Sequence, residues 1–194
     1  MIYPIVPYGD PVLRKVAQEI EPETFDIQQF VADLYETMYE AAGVGLAAPQ
    51  VGKSVRVFVV DGRPLNEPDE EDGEDFEPDQ SLIDFKMAFI NPEITATDGE
   101  KWVYEEGCLS IPGIRSDVLR PERITINYFD ENGNEFTRNF EGMAARIIQH
   151  EYDHLEGKLF TDYMPILKRQ ILKRKLADIT KGNVKVDYRM KFPK

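Results

Sequence analysis

Cysteine and histidine are scarce in this sequence, which has one cysteine and two histidines among 194 residues. The single cysteine, Cys108, excludes an intramolecular disulfide, so the chain is expected to fold without covalent cross-links in a reducing compartment. No apolar run approaches the roughly 20 residues that a membrane-spanning helix needs, and the first residues carry no basic leader. These absences predict a soluble cytoplasmic protein that has no membrane partner.

Positive charge is also in short supply, because 23 Lys and Arg residues face 36 Asp and Glu residues, a formal net charge of -13. Most of such a surface would repel a phosphate backbone, which argues against direct DNA binding. Nine acidic residues and no basic one lie between Glu67 and Asp79. Like charges repel one another, and such a segment has little apolar surface to bury. A flexible, solvated insertion is therefore predicted over about residues 62–84.

Apolar periodicity predicts three helices. The first lies between Asp26, a candidate N-cap, and Gly43, and its apolar positions recur at helical spacing: Ile27, Phe30, Val31, Leu34 and Met38. A second is predicted from about residue 142 to 155, ending at Gly157. A third is predicted over about residues 165–180, ahead of Gly182.

Runs of β-branched and aromatic residues predict the strands. They cover residues 56–60, 86–90, 102–104, 123–129 and 135–140, and the second run is expected to close at Asn91-Pro92. The Asn132-Gly133 pair is a hairpin signal, which favours antiparallel pairing. A helix, several strands and then two helices predict an α+β fold. We expect one domain over residues 1–194, with mostly antiparallel strands packed around the second helix.

The two histidines lie four residues apart, and a glutamate follows the first, in the HExxH pattern of residues 150–154. This spacing places His150 and His154 on one helix face, where both imidazoles can bind one metal ion. An accidental HExxH on an exposed helix is the alternative. Met143 and Ile147 continue the same stripe, which indicates an apolar wall beside the metal or ordinary core packing.

A tetrahedral metal site that keeps a position open for water needs a third protein ligand. Because there is no third histidine, that ligand must be a cysteine, aspartate or glutamate. Cys108 is the strongest candidate, since a thiolate binds borderline cations well and Gly107 allows close backbone approach. A lone cysteine that is buried and inert is the alternative.

Three segments resemble, in the same order, the diagnostic motifs of peptide deformylases, which remove the formyl group from an N-terminal methionine. They are residues 43–50, 106–110 and 149–154, and the resemblance extends from about Tyr8 to Tyr163. Two features depart from the family pattern. The acidic stretch looks like an insertion, and Gly113 stands where many members have glutamate.

The resemblance implies a metal-dependent mechanism. Cys108, His150 and His154 would bind one divalent ion, natively Fe²⁺, which Zn²⁺, Ni²⁺ or Co²⁺ can replace. Glu151 would take a proton from water and pass it to the leaving amine. The Gln50 side chain and the Leu109 N–H would stabilise the oxyanion. On its own, Gln50 would be interpreted as a surface amide.

The resemblance also implies how a formyl-Met N-terminus of a nascent peptide would bind. The segment formed by Gly43, Val44 and Gly45 would lie beside an extended peptide and pair with its backbone. Val44, Met143 and Ile147 would shape the cavity for the methionine side chain. Arg115 matches a substrate-contacting arginine of the family, although a solvated arginine is equally compatible with the sequence.

Two other functions compete with this interpretation. An HExxH metallopeptidase would use the same glutamate and metal, but no third histidine and no second helix bearing a glutamate ligand is assignable. A non-catalytic metal-binding protein, with the acidic loop as its functional part, would leave Gln50, Cys108 and Glu151 unexplained.

The charge reverses at the C-terminal end. Between Lys168 and Lys194 there are ten basic residues against Asp178 and Asp187. Some deformylases are thought to dock on the ribosome through their C-terminal helix, so the resemblance implies weak, salt-sensitive ribosome contact through about residues 165–194. A helix that only exposes its basic face to solvent is the alternative.

Overall fold

The computed structural model describes residues 1–21, 26–68 and 76–192. Within these ranges the chain forms five strands and three α-helices. The strands are β1 Gly45–Ala47, β2 Val57–Asp61, β3 Lys86–Cys108, β4 Ile111–Phe129 and β5 Glu135–Glu141, and the helices are α1 Ile27–Glu40, α2 Gly142–Leu155 and α3 Ile166–Thr180. The predicted α+β fold, with an N-terminal and a C-terminal helix, is confirmed.

The five strands form one antiparallel sheet in the order β1-β2-β3-β4-β5. This order leaves β1 at an edge, where one side pairs with β2 and Gly45 lies opposite Val60. At the far end of the long β3-β4 hairpin, Cys108 pairs with Ile111, so Leu109 and Ser110 form the turn. The sheet therefore holds two of the three sequence motifs.

Strand β3 differs from the sequence prediction. The expected end at Asn91-Pro92 is wrong, because β3 continues to Cys108 and includes the short strand predicted near residue 103. Asn91 has a φ of 47°, and the register shifts between Ile90 and Glu93. The Asn91 side chain bonds both the N–H and the C=O of Ile20, each at 2.9 Å. These bonds hold a β-bulge, after which strand pairing resumes.

Helix α2 packs between the sheet and the loops around it. It begins at Gly142, whose φ is 58°, and ends before Gly157, whose φ is 67°. A Cβ atom at position 157 would lie 2.7 Å from the carbonyl oxygen of Arg14, so glycine is required there. Ile147 and Ile148 join the core formed with the strands, and burial of each contributes roughly 1.5–3 kcal/mol.

The acidic run is only partly described. Residues 69–75 lie outside the described ranges, whereas the structure describes the rest of the predicted insertion, residues 62–68 and 76–84. On its flanks, the Asn66 side chain accepts from the N–H of Asp79 at 2.6 Å and donates to its carbonyl at 3.1 Å. Leu82, further along the segment, is buried in the core.

Asp26 caps helix α1 as predicted, because its side chain accepts from the N–H of Gln29 at 3.2 Å. None of the helices in the described ranges has both the length and the apolar character needed to cross a bilayer.

Candidate metal and catalytic site

The fold brings one cysteine and two histidines together. Cys108 comes from the end of β3, whereas His150 and His154 lie one turn apart on α2. Their ligand atoms all lie within 4.8 Å of one another, and Cys108 Sγ is 3.4 Å from His154 Nε2. One thiolate and two imidazoles suit a divalent transition metal and leave a tetrahedral ion one open position.

Glu106 determines the orientation of His150. Its Oε2 lies 2.9 Å from His150 Nδ1, so the other ring nitrogen is left to face the cluster. A carboxylate in this position selects the tautomer of a metal-binding histidine and increases its basicity. Burial opposes protonation of His150, but its contacts with Cys108 and Glu106 raise its pKa well above the ordinary value in the absence of a metal.

Two arginines hold Glu106 in place. Arg120 donates to both of its carboxylate oxygens, at 2.7 and 2.9 Å, and Arg146 donates to one of them at 3.0 Å. Arg120 also donates to Asp153 at 2.7 Å. All four side chains are buried. Burial alone would raise the pKa of Glu106, but bonds from His150 and Arg120 lower it well below its usual range.

His154 is almost fully buried. Burial lowers its pKa well below the ordinary value, which favours the neutral imidazole that a metal requires. Its Nδ1 atom has no hydrogen-bond partner among the described residues, whereas Nε2 faces Cys108. The geometry therefore fits metal binding through Nε2.

Glu151 lies beside the cluster and lines the same cavity. Its carboxylate is buried, and Oε2 has no hydrogen-bond partner within the described ranges. Burial raises the pKa of Glu151 to about 7. A carboxyl group with such a pKa can both accept and return a proton near neutral pH.

Gln50 is buried rather than exposed, because the short helical turn at Ala48–Val51 directs it inward. Its Oε1 accepts from the N–H of Ala47 at 2.9 Å, which fixes the amide orientation. Nε2 then points to Cys108 Sγ and Ser110 Oγ, each 3.4 Å away. The N–H of Leu109 donates to no protein acceptor in the part of the chain that the structure describes. Both predicted oxyanion donors thus lie next to Cys108.

A cavity of about 590 Å³ opens at this cluster. Every residue predicted to bind substrate lines it: Gly43, Val44, Gly45, Met143, Ile147 and Arg115. Arg115 lies at the exposed rim and donates to the Glu105 carboxylate at 2.9 Å. Ile147 is buried and packs in the core while it also lines the cavity, so it forms both the apolar wall and the core packing that the sequence left as alternatives.

The family model for polypeptide deformylase matches residues 2–170. The chain belongs to the polypeptide deformylase family. The peptide deformylase of Flavobacterium psychrophilum is 51% identical over 192 residues, covering 99% of this chain and 97% of the relative. That of Cytophaga hutchinsonii is 50% identical over 193 residues, covering 100% of this chain and 98% of the relative.

Solved deformylase structures share the fold. A peptide deformylase from Legionella pneumophila is 36% identical with a TM-score of 0.75, covering 94% of this chain and 98% of that one. The enzyme from Thermotoga maritima is 40% identical with a TM-score of 0.70, covering 85% and 99%. The chain is therefore a metal-dependent deformylase that removes the N-formyl group from nascent polypeptides.

Sequence reasoning on the deformylase motifs missed the residues that support the ligands. Glu106 and Asp153 lie inside the motifs, within two residues of Cys108 and His154, and this closeness in sequence could have predicted that they support the ligands. Arg120 and Arg146 carried no such signal, because their contact with Glu106 depends on how β4 and α2 pack. Tyr188, which lines the cavity from beyond α3, was also missed.

Proposed function

We propose that Cys108, His150 and His154 hold one divalent ion, natively Fe²⁺, and that Glu151 acts as the proton carrier for deformylation. The observation that carries this proposal is the convergence of the three ligand atoms within 4.8 Å beside the buried Glu151 carboxylate. The ligand chemistry supports a divalent transition metal, because one thiolate and two imidazoles suit Fe²⁺ and also accept Zn²⁺, Ni²⁺ and Co²⁺.

Cys108, His150 and His154 would hold the ion, which would supply Lewis-acid activation of a water nucleophile and of the formyl carbonyl. Glu151 Oε2 would accept a proton from the attacking water and deliver it to the amine of methionine as the formamide C–N bond breaks. Formate and a free N-terminal amine are the products. The surrounding apolar wall, with Ile147 on the same helix, excludes bulk water and preserves the raised pKa of Glu151.

Gln50 and Leu109 stabilise the oxyanion in this proposal. The amide Nε2 of Gln50 and the N–H of Leu109 are donors that flank Cys108, and the bond from Ala47 orients the Gln50 amide before substrate arrives. Donors fixed in advance stabilise developing charge without reorganisation, and loss of one costs roughly 100-fold in rate. The formyl oxygen would therefore be held between these two residues.

The peptide binds along β1. Because β1 is the edge of the sheet, the side of β1 that faces away from β2 is free of a neighbouring strand, and Gly43, Val44 and Gly45 at its beginning line the cavity where an extended substrate would pair. Met143, Ile147 and Val44 line the apolar part of the cavity, which suits a methionine side chain. Arg115, at the rim, would contact the peptide beyond its first residue.

Formate release from a formyl-Met peptide, measured anaerobically with Fe²⁺ or Ni²⁺, tests the proposal. Glu151→Gln should retain metal but lose activity by roughly 100-fold or more. Glu141→Gln, which alters an exposed carboxylate just before α2, is the control and should keep wild-type activity. Cleavage of unformylated peptides would instead indicate a metallopeptidase, and near-normal turnover by Glu151→Gln would exclude the proton-carrier role.

Weak ribosome contact through α3 forms a second part of the proposal, together with cytoplasmic action on nascent chains. The helix exposes Arg169, Lys173, Arg174 and Lys175 beside Ile166, Leu167 and Ile171, whose exposed fractions are 73%, 69% and 73%. A basic surface of this kind suits ribosomal RNA.

Co-sedimentation with ribosomes at low and moderate salt tests the contact. Neutralising Lys173, Arg174 and Lys175 to glutamine should lower co-sedimentation. A control that neutralises Lys53, Lys101 and Lys158, which are also exposed, removes the same charge from other surfaces and should not. Equal behaviour of the two triple variants, or no co-sedimentation by wild type, refutes the contact.

A further inference from the structure

The C-terminal tail, residues 182–192, returns from α3 across the body of the enzyme. It lies beyond residue 170, where the family-model match ends. Its residues alternate between half-buried and exposed along the whole segment. Val184 packs against one hydrophobic cluster, and Tyr188 and Met190 pack against another. This pattern is that of an extended segment laid on an apolar surface, not of a solvated end.

The tail is held by main-chain bonds to the first residues of the chain. Ile5 donates to the carbonyl of Arg189 and accepts from the N–H of Lys191, each at 2.9 Å. The next residue, Val6, donates its N–H to the backbone carbonyl of Gln50 at 2.8 Å. A continuous series of hydrogen bonds therefore runs from the tail through the N-terminal segment to the residue that carries one oxyanion donor.

Tyr188 contacts the residue that carries the second donor, through its carbonyl oxygen and not through the donor N–H. Its hydroxyl donates to the carbonyl oxygen of Leu109 at 2.7 Å, and its half-buried side chain lines the catalytic cavity. Leu109 lies in the two-residue turn between β3 and β4, where nothing in the strand ladder fixes its backbone. The Tyr188 bond fixes the peptide group between Leu109 and Ser110, and through the turn it limits the rotation of the preceding peptide group, which carries the Leu109 N–H.

We propose that the C-terminal tail is a positioning element for deformylation, with Tyr188 as the positioning residue that fixes the Leu109 turn. The inference rests on the proposed oxyanion roles of Gln50 and Leu109. Small errors in donor direction weaken transition-state stabilisation more than substrate binding, because the oxyanion forms only during the reaction. Loss of the Tyr188 hydroxyl is therefore expected to lower kcat and leave KM nearly unchanged.

Tyr188→Phe removes only the hydroxyl and tests this expectation in the metal-loaded enzyme. We expect kcat to fall roughly fivefold, the effect of one lost hydrogen bond, with unchanged metal content and KM. Tyr3→Phe is the matched control, because it also removes a tyrosine hydroxyl from the same hydrophobic cluster, where it bonds Asp33 at 3.3 Å. The control should keep wild-type kcat.

The comparison with Gln50→Ala separates the two levels of the proposal. If Gln50→Ala lowers kcat while Tyr188→Phe matches wild type, the tail inference is overturned and the oxyanion assignment stands. If neither variant changes kcat, both fail. The folded fraction of Tyr188→Phe is measured by circular dichroism. If the fall in kcat is fully explained by a lower folded fraction, the inference is also overturned, since Tyr188 then contributes stability and not positioning.

Discussion

A Cβ atom at Gly45 would lie 2.8 Å from Cδ of Glu151. Edge strand β1 and helix α2 therefore approach so closely at this point that any larger residue at position 45 would force the Glu151 side chain to move. The contact places the proposed proton carrier directly beneath the strand on which the peptide would bind. The first and third sequence motifs, about 100 residues apart in the chain, meet at this pair.

Gly45→Ala should displace the Glu151 carboxylate. Misplacement of a proton carrier by about 1 Å can cost roughly 100-fold in rate, so a large fall in kcat is expected while the three metal ligands remain in place. Formate release and metal content measure the two effects. Gly52→Ala alters a glycine whose Cβ would lie 3.8 Å from Val6, and it should affect stability more than kcat because its φ is 78°. Wild-type kcat in Gly45→Ala would contradict the close contact.

Cys108→Ser should weaken metal binding. A hydroxyl is a harder and poorer ligand than a thiolate, so the metal preference of the variant should also shift away from soft and borderline ions. The absorption spectrum of the Co²⁺-loaded protein reports the change, because thiolate ligation produces a charge-transfer band. An unchanged spectrum with unchanged metal content would show that Cys108 is not a ligand.

Glu106→Asp should lower metal affinity by roughly tenfold, the lower end of effects measured for residues that support a metal-binding histidine. The shorter side chain keeps the charge that Arg120 and Arg146 require but withdraws the oxygen that lies 2.9 Å from His150 Nδ1. Chelator competition measures the affinity. Glu105→Asp, at the exposed rim, serves as the control. Identical affinities of the two variants would refute the orienting role.

Asp61 should contribute stability that depends on pH. Burial raises its pKa, but bonds from Arg63 and Tyr39 outweigh burial and hold the pKa below the ordinary value of 3.8. Because the pKa of Asp61 is lower in the folded state than in the unfolded state, the ionised carboxylate stabilises the folded protein at pH values above 3.8. This stabilisation is lost as the pH falls further and the carboxylate is protonated. Asp61→Asn should therefore lower Tm at neutral pH, and its difference from wild type should narrow below pH 3.8.

Asp98→Asn is the control for this measurement. Asp98 pairs with Arg123 at 3.0 Å, but its side chain is 80% exposed, so water screens the pair. Asp98→Asn should therefore change Tm only slightly over the whole pH range. A constant Tm difference between wild type and Asp61→Asn across the acid range would contradict the linkage.

The sequence alone determined the local features. Helical periodicity and the Asp26 cap located α1, and Gly157 marked the end of α2, because these signals act over a few residues. The i, i+4 spacing of His150 and His154 is also local, and it placed both rings on one face. Cys108 was identified as the third ligand from the chemistry that the histidine pair requires, whereas Gln50 was found only through family resemblance, since it carries no signal by itself.

Only the tertiary structure decided how distant segments meet. The bulge at Asn91, which joins two predicted strands into β3, depends on contacts with Ile20. The Glu106 and Arg120 pair forms only once β3 and β4 align, and Tyr188 meets Leu109 only when the tail crosses the body of the enzyme. These contacts join residues that are 14 to 79 positions apart in the chain. Local propensity does not encode such contacts, because packing and burial select them.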